Sequence, residues 1–389
     1  MSVIGLNILV IGGGIGGLAA ARALALRGAS VTLLEQAEAI TEVGAGLQVS
    51  PNGFAVLDAL GLGDELAAGA VRADAISLRD YRKGEVLRLD LGRLENRHYY
   101  FVHRADLIGL LARGARDAGV KLRLLQQVTR VEPGERPRAH VGNGTVIEAD
   151  VIIGADGLHS RLRPELNGAD APRFTGQTAW RATIPNTDCR TAEAWVHMGP
   201  GRHMVSYPLR GGSALNLVAV QERKNWTEEG WNFRDDPANL RAAFADFGGE
   251  VQDMLARVEE VHLWGLFRHP VARIWQGGNC ALLGDAAHPT LPFLAQGASM
   301  ALEDAWALAD ELSATDSIAA GLAGYQARRA ARARRVINAA TGNAWKYHLR
   351  SGPLRFAAHT ALRIGGVMAP SAMLHQFDWI YGHDETAPR

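Results

Sequence analysis

The chain opens with an apolar run at residues 8–11 that stops at three glycines and passes into an alanine- and leucine-rich stretch. A second apolar run, residues 31–34, follows and ends at Glu35. Short continuous apolar runs bounded by glycine read as strands buried on both faces, and the stretch between them as the helix joining two parallel strands. Two later runs share this character: residues 151–153, which end in Gly154-Ala155-Asp156-Gly157, and residues 280–283, which end in Gly284-Asp285. Helical spacing appears at Leu107, Leu110 and Leu111 after Arg104, and at Ala301, Ala305, Leu308 and Leu312 after Gly297. Each set gathers its apolar residues on one face.

Between these segments the period drops to two. Residues 75–91 predict a hairpin about Lys83-Gly84, residues 178–184 a strand carrying Arg181, and residues 193–222 three strands separated by Gly-Pro-Gly and Gly-Gly turns. The chain thus leaves a doubly wound unit, builds part of a sheet, returns, leaves again and returns. The expected fold class is α/β. A Rossmann-like dinucleotide-binding domain spans residues 1–70, 98–172 and 270–350, with an inserted β-sheet substrate domain at 71–97 and 173–269. C-terminal helices fill 351–389. Within them, residues 353–370 are apolar but interrupted by Arg355, His359 and Arg363, which predicts a helix covering the core.

Composition adds exclusions. A length of 389 residues exceeds one ordinary core, in line with two domains. Lys and Arg number 41 and so do Asp and Glu, so there is no basic excess to attract nucleic acid. The arginines at 328, 329, 332, 334 and 335 spread round a long helix and read as a solvated face. No run of eighteen apolar residues would span a membrane. Two cysteines without a CxxC pair suggest a reduced, cytoplasmic setting, and no Cys/His cluster suggests a metal. A monomer or homodimer is expected.

Chemistry enters at the strand ends. Gly12-x-Gly14-x-x-Gly17 opens the first helix, and Glu35 closes the second strand. The glycines serve a tight turn, backbone access for a pyrophosphate and close helix–strand packing, and Glu35 is placed to accept from ribose hydroxyls. This fingerprint does not distinguish NAD from FAD. Gly284-Asp285, an acid at a distant strand end ahead of the glycine-started helix at Gly297, suits a cofactor with a polyhydroxy linker, which FAD has and NAD lacks. The free N–H groups of that helix would stabilise negative charge on a flavin. In "GRHMVSYP", His203, Val205 and Tyr207 share one strand face. The two polar residues suit proton exchange with a phenol, although spacing alone favours a satisfied core histidine beside a core tyrosine.

The ordered set GxGxxG…Glu, HRADL, GADG, GDAAHP, PxxxQG and ALEDA resembles the single-component flavoprotein aromatic hydroxylases. The salicylate hydroxylase, 3-hydroxybenzoate 6-hydroxylase and 6-hydroxynicotinate 3-monooxygenase types are the most similar, and the likeness spans nearly the whole chain. It implies non-covalent FAD, NADH or NADPH as a transient co-substrate without a second Rossmann domain, and O2. The implied reaction is hydroxylation, through a flavin hydroperoxide, of a small phenolic or hydroxy-heteroaromatic substrate, with a carboxylated one expected. It implies that Asp285 holds the ribityl chain, Arg104 the phosphate or ribityl region and the Val128 backbone the adenine. Asp156 would serve FAD and the nicotinamide together, with Ala45, Gly46, Gly297 and Ala298 beside the isoalloxazine. His203 and Tyr207 would be the substrate-activating pair, with Gln48, Arg181 and Pro292 near the substrate. Gln48 stands where the hydroxynicotinate enzymes have histidine, and Pro292 where the 3-hydroxybenzoate enzymes have glutamine, so the chain departs from both. A flavin epoxidase or oxidase of the same fold acting on a non-phenolic substrate, and a non-catalytic flavin-binding protein, are the alternatives.

Overall fold

A computed structural model of the chain describes every residue except 1–2, 41–44, 83, 95–96, 189–190, 226–232 and 389. Lys83, Gly44 and Cys189 therefore lie outside the described residues. The apolar runs pair in parallel: Asn7–Ile11 lies between Val151–Gly154 and Ser30–Leu34, and these are flanked by Cys280–Leu282 and Lys121–Arg123. The short Gln276–Gly277 adds an antiparallel edge, completing six strands. Helices Ile15–Ala25, Arg104–Asp117 and Gly297–Ser313 contribute to the core of this layer, with Leu107, Leu111, Ala305 and Leu308 fully buried. Two glycines make the first turn so close. Gly12 has φ +106°, and a Cβ on Gly17 would stand 2.0 Å from the Gly12 carbonyl oxygen. The parallel strand Lys121–Arg123 is only three residues long. It ends at Arg123, Leu125 turns with positive φ, and Val128 begins the next strand.

The period-two segments form an eight-stranded sheet. Its order runs Phe233–Asp235, Val261–Arg268, Arg173–Pro185, Ala214–Glu222, Arg202–Leu209, Glu193–Gly199, Ala75–Asp80 and Glu85–Asp90. One face, with Trp180, Met204 and Leu217, packs on Phe244, Phe247 and Met254 from the Pro237–Ala243 and Gly249–Ala256 region. Because side chains alternate, the opposite face carries Arg181, His203, Val205, Tyr207, Val218 and Val220. Register sets them in rows: Arg181, Val218, Val205 and Val196 in one, with His203 and Val220 in the next row and Tyr207 opposite Asn216 on the other side.

The long helix Ile318–Asn343 corrects the expectation of a solvated arginine face. Arg329 is fully buried, bonding Asp304 at 2.8 Å, Glu303 at 2.5 Å and Glu385 at 2.6 Å. Arg332 also grips Glu303, and Arg328 binds Asp310 and Glu385. Helical periodicity reveals how charges are distributed, not which buried carboxylates lie opposite them. The helix predicted at 353–370 forms as Gly352–Met368 beside the Glu85–Asp90 strand, with His359 buried. It covers the core only in part, since Phe356 is 71%, Val367 83% and Met368 80% exposed. Among the described residues no helix is long and apolar enough to cross a membrane.

Candidate active site

One cavity of about 620 Å³ runs from the glycine turn of the parallel sheet to the inner face of the eight-stranded sheet. At the first end Gly12–Gly14 turn past Glu35, whose Oε2 accepts from the Gly13 N–H at 2.7 Å and Oε1 from the Ala37 N–H at 2.8 Å. Gly14 precedes the helix Ile15–Ala25 without a side-chain cap, so that helix presents its first N–H groups to the cavity. Val128, Arg104 and Asp156 line the same stretch. The Asp156 carboxylate accepts from the Arg161 N–H at 2.7 Å through one oxygen, while the other is buried without a partner. Burial pushes its pKa up, against the hydrogen bonds that favour the anion. Asp285 is exposed to the cavity; the protein mass around that cleft pushes its pKa up, opposed by His288 and Arg104.

A second uncapped helix start, at Gly297, also opens on this cavity, with Ala298 beside it. The preceding Gln296 is spent elsewhere. Its side chain donates to Ser50 at 2.9 Å and accepts from Asn52, which in turn donates to Glu303 at 2.6 Å. Behind the loop, Asp304 accepts from the Gly284 N–H and binds His288. Burial alone would raise both carboxylates; Arg329 and Arg332 outweigh it at Glu303, and His288 together with Arg329 outweighs it at Asp304. Glu303 is thus held at about 2, and Asp304 is lowered. The buried ion cluster therefore fixes the strand end and the helix start as one piece.

The far end of the cavity is apolar, with Leu78, Val196, Val205, Val218 and Phe293 among its walls, and Arg181 carries positive charge there. The Arg181 guanidinium stacks on Trp264, 4.3 Å from the ring centre. His203 is buried among Phe293, Tyr347 and His348. Its Nδ1 meets His348 Nε2 at 2.7 Å, which leaves Nε2 as the ring nitrogen for the cavity. Burial, and then the neighbouring His348, hold its pKa well below the ordinary histidine value, so the ring is neutral at neutral pH. Tyr207 is held above the usual phenol range by burial, so it is a proton donor rather than a base.

The structure does not bring His203 and Tyr207 onto a shared hydrogen bond. Tyr207 packs on Phe101, ring centres 5.0 Å apart, and a Cβ on Gly46 would stand 2.6 Å from its ring. Asn216, opposite Tyr207 in the sheet, accepts from the Gly46 N–H at 2.7 Å. Gly46 is thus where the strand Gly46–Val49 is fastened to the large sheet. Gln48 lines the cavity and accepts from the Tyr99 hydroxyl at 2.7 Å; Pro292 lines it at the start of the turn bearing Phe293. Of the residues singled out from sequence, Gly17 and Ala45 stand off the cavity. Gly17 packs helix on strand, and the Ala45 carbonyl accepts from the Arg104 N–H at 3.1 Å. Sequence reasoning missed Tyr99, Tyr347 and Tyr381 in the wall and His348 behind it; an aromatic or histidine without periodic neighbours carries no positional signal.

Residues 6–340 match the model of the FAD binding domain family. The 3-amino-4-hydroxybenzoate 2-monooxygenase of Streptomyces platensis is 37% identical, covering 98% of this chain and 97% of that protein. The 3-hydroxybenzoate 6-hydroxylase 1 of Aquipseudomonas alcaligenes is 34% identical, covering 97% and 98%. Among solved structures, Klebsiella pneumoniae HpxO complexed with FAD and uric acid superposes with a TM-score of 0.84 at 26% identity, over 96% of this chain and 97% of that one. The chain belongs to the FAD-dependent aromatic hydroxylase family and is a monooxygenase. Its cavity fits the cofactor on its own terms: two helix N-termini for anionic groups, a carboxylate at each of two strand ends, and an unpartnered buried Asp156 oxygen.

Proposed function

We propose that the chain hydroxylates a monocyclic phenolic acid at the expense of NADH or NADPH and O2. The observation that carries this reading is a buried, neutral His203 in the wall of the same cavity that holds the dinucleotide fingerprint. FAD, when bound, supplies the redox and oxygen chemistry. Gly12–Gly14, Glu35, Arg104, Asp156 and Asp285 would hold it, with Gly297 and Ala298 at its anionic ring. The substrate ring lies over Val205 and Val218. His203 Nε2 takes the phenol proton and makes the ring electron-rich, and Arg181 pairs the carboxylate. The Tyr207 hydroxyl, which keeps its proton, donates to the substrate's other polar group. Apolar walls exclude water, which strengthens these contacts.

The relatives named for 3-amino-4-hydroxybenzoate and 3-hydroxybenzoate supply the first substrates to assay, and the departure at Pro292 puts the former first. The two lone thiols suit a reducing, cytoplasmic setting, and the assembly proposed is a monomer or homodimer. The test is NADH and NADPH oxidation by purified holoenzyme with 3-amino-4-hydroxybenzoate, 3-hydroxybenzoate, 4-hydroxybenzoate and their non-phenolic benzoate analogues, with product quantified. Stimulation and hydroxylated product confined to phenols support the reading. Equal turnover of the non-phenolic analogues overturns it in favour of an epoxidase-like enzyme.

A further inference from the structure

Behind His203 the polar contacts do not stop. His348 Nε2 meets His203 Nδ1 at 2.7 Å, and His348 Nδ1 meets Glu222 Oε1 at 3.1 Å. Arg350 holds the other Glu222 oxygen at 2.5 Å. Exposure rises along this line: the side chains of His348, Glu222 and Arg350 are 1%, 33% and 70% exposed. The path therefore leads from the cavity wall to solvent through His203, His348 and Glu222, each able to accept and release a proton, with Arg350 as a fixed cation beside its outer end.

Backbone contacts hold the line in place. The Gly201 N–H donates to the His348 carbonyl at 3.2 Å, and the Glu222 N–H donates to the Gly201 carbonyl at 3.0 Å. The tight turn between Glu193–Gly199 and Arg202–Leu209 thereby ties the Ala344–His348 turn to the end of the Ala214–Glu222 strand. Tyr347 lies beside His203, held above the usual phenol range by burial, and so keeps its own proton. Arg350 is the cation at the outer end.

We infer that His203, His348 and Glu222 form a proton outlet that carries the substrate's phenolic proton from the closed cavity to water. This rests on the phenolic reading above. In the starting tautomers His203 Nδ1–H donates to His348 and His348 Nδ1–H donates to Glu222. As the phenol O–H bond breaks, a His203 Nε2–H bond forms and the Nδ1 proton passes to His348 Nε2. The His348 Nδ1 proton passes to the Glu222 carboxylate, which releases it to water. One proton enters and one leaves, both imidazoles end neutral, and no oxidant is consumed. The reverse flow restores the tautomers. Two buried imidazoles, each disfavoured as a cation by burial, suit a transfer in which neither stores the charge. His348 and Glu222 act through His203 and do not touch substrate.

The experiment mixes oxidised, FAD-loaded enzyme with whichever phenolic acid of the assay series best stimulates NAD(P)H oxidation, and follows the phenolate absorbance by stopped flow. Glu222→Gln keeps an acceptor for His348 Nδ1 but takes up no proton, so a purely positioning role survives it. The outlet predicts that Glu222→Gln and His348→Asn each slow phenolate formation by about tenfold or more, with the dissociation constant of the phenol within about twofold of the parent's. Parent-like phenolate formation in Glu222→Gln overturns the outlet, even where His348→Asn is slow. Failure of the parent enzyme to ionise any phenol sinks the phenolic reading itself, a result distinct from a parent that ionises its ligand at the same rate as the variants.

Discussion

His203 is set apart by neutrality in a buried place. Burial first holds both His203 and His348 below the ordinary histidine value, joined at His203 by the adjacent ring and opposed at His348 by Glu222. An unfolded chain would protonate these rings as pH falls through about 6.5, while the folded chain resists until lower pH. The unfolded state then binds more protons, so their stability contribution is present above that point and is lost as pH falls. Melting temperature should drop from pH 7 to pH 5.5, with a shallower slope in His203→Asn. His288 is raised by Asp304 against its burial and has the opposite sign, but it is common to both proteins and cancels from the comparison. The same variant should retain FAD, hydroxylate about 10²–10⁴-fold more slowly and release more hydrogen peroxide per NAD(P)H consumed. A variant that melts early yet stays fully coupled would reduce His203 to a packing residue. If Asp285 holds FAD as proposed, Asp285→Ala removes a charged acceptor worth about 1.5–3 kcal/mol, so FAD should dissociate about tenfold more readily, as read by flavin fluorescence on dilution.

At the scale of elements, the cofactor half was legible in the sequence because its constraints are local. A positive φ at Gly12 and a backbone contact at Gly17 admit glycine alone, whatever the rest of the chain does. The strand face holding His203 and Tyr207 was legible from alternation. Their partners were not: His348 lies 145 residues from His203, and Asn216 lies 170 from Gly46. Nor did periodicity show that Arg329 points inward, because helical spacing is the same for a solvated arginine as for one enclosed by three carboxylates. That cluster joins helix Gly297–Ser313 to Ile318–Asn343, and its loss should be expensive. Arg329→Met leaves Glu303, Asp304 and Glu385 short of their cation, a change expected to cost about 3–5 kcal/mol in a denaturant melt. A melt within about 0.5 kcal/mol of the parent would show the cluster to be slack.

Across the whole molecule, one continuous cavity joins the glycine turn to the proposed substrate end, and the sequence carries a single GxGxxG turn. The nicotinamide co-substrate thus has no dinucleotide fold of its own, and its encounter with flavin depends on the state of the shared cavity. NAD(P)H oxidation should be slow in holoenzyme alone and rise at least about tenfold when the aromatic ligand binds, a 1.4 kcal/mol effect on the barrier. Steady-state assays with and without ligand decide it, and equal rates would detach reduction from substrate binding.

The clasp on Arg329 also has a temporal side. Glu385 follows it by 56 residues. During synthesis the helix bearing Arg329 emerges first, and Glu303 and Asp304, already made, can meet the guanidinium at once. The third carboxylate arrives only after the intervening helices have been translated. A nascent chain stopped short of Glu385 would leave one face of that guanidinium without its anion, so the flavin-side core is finished late, by a residue belonging to neither sheet.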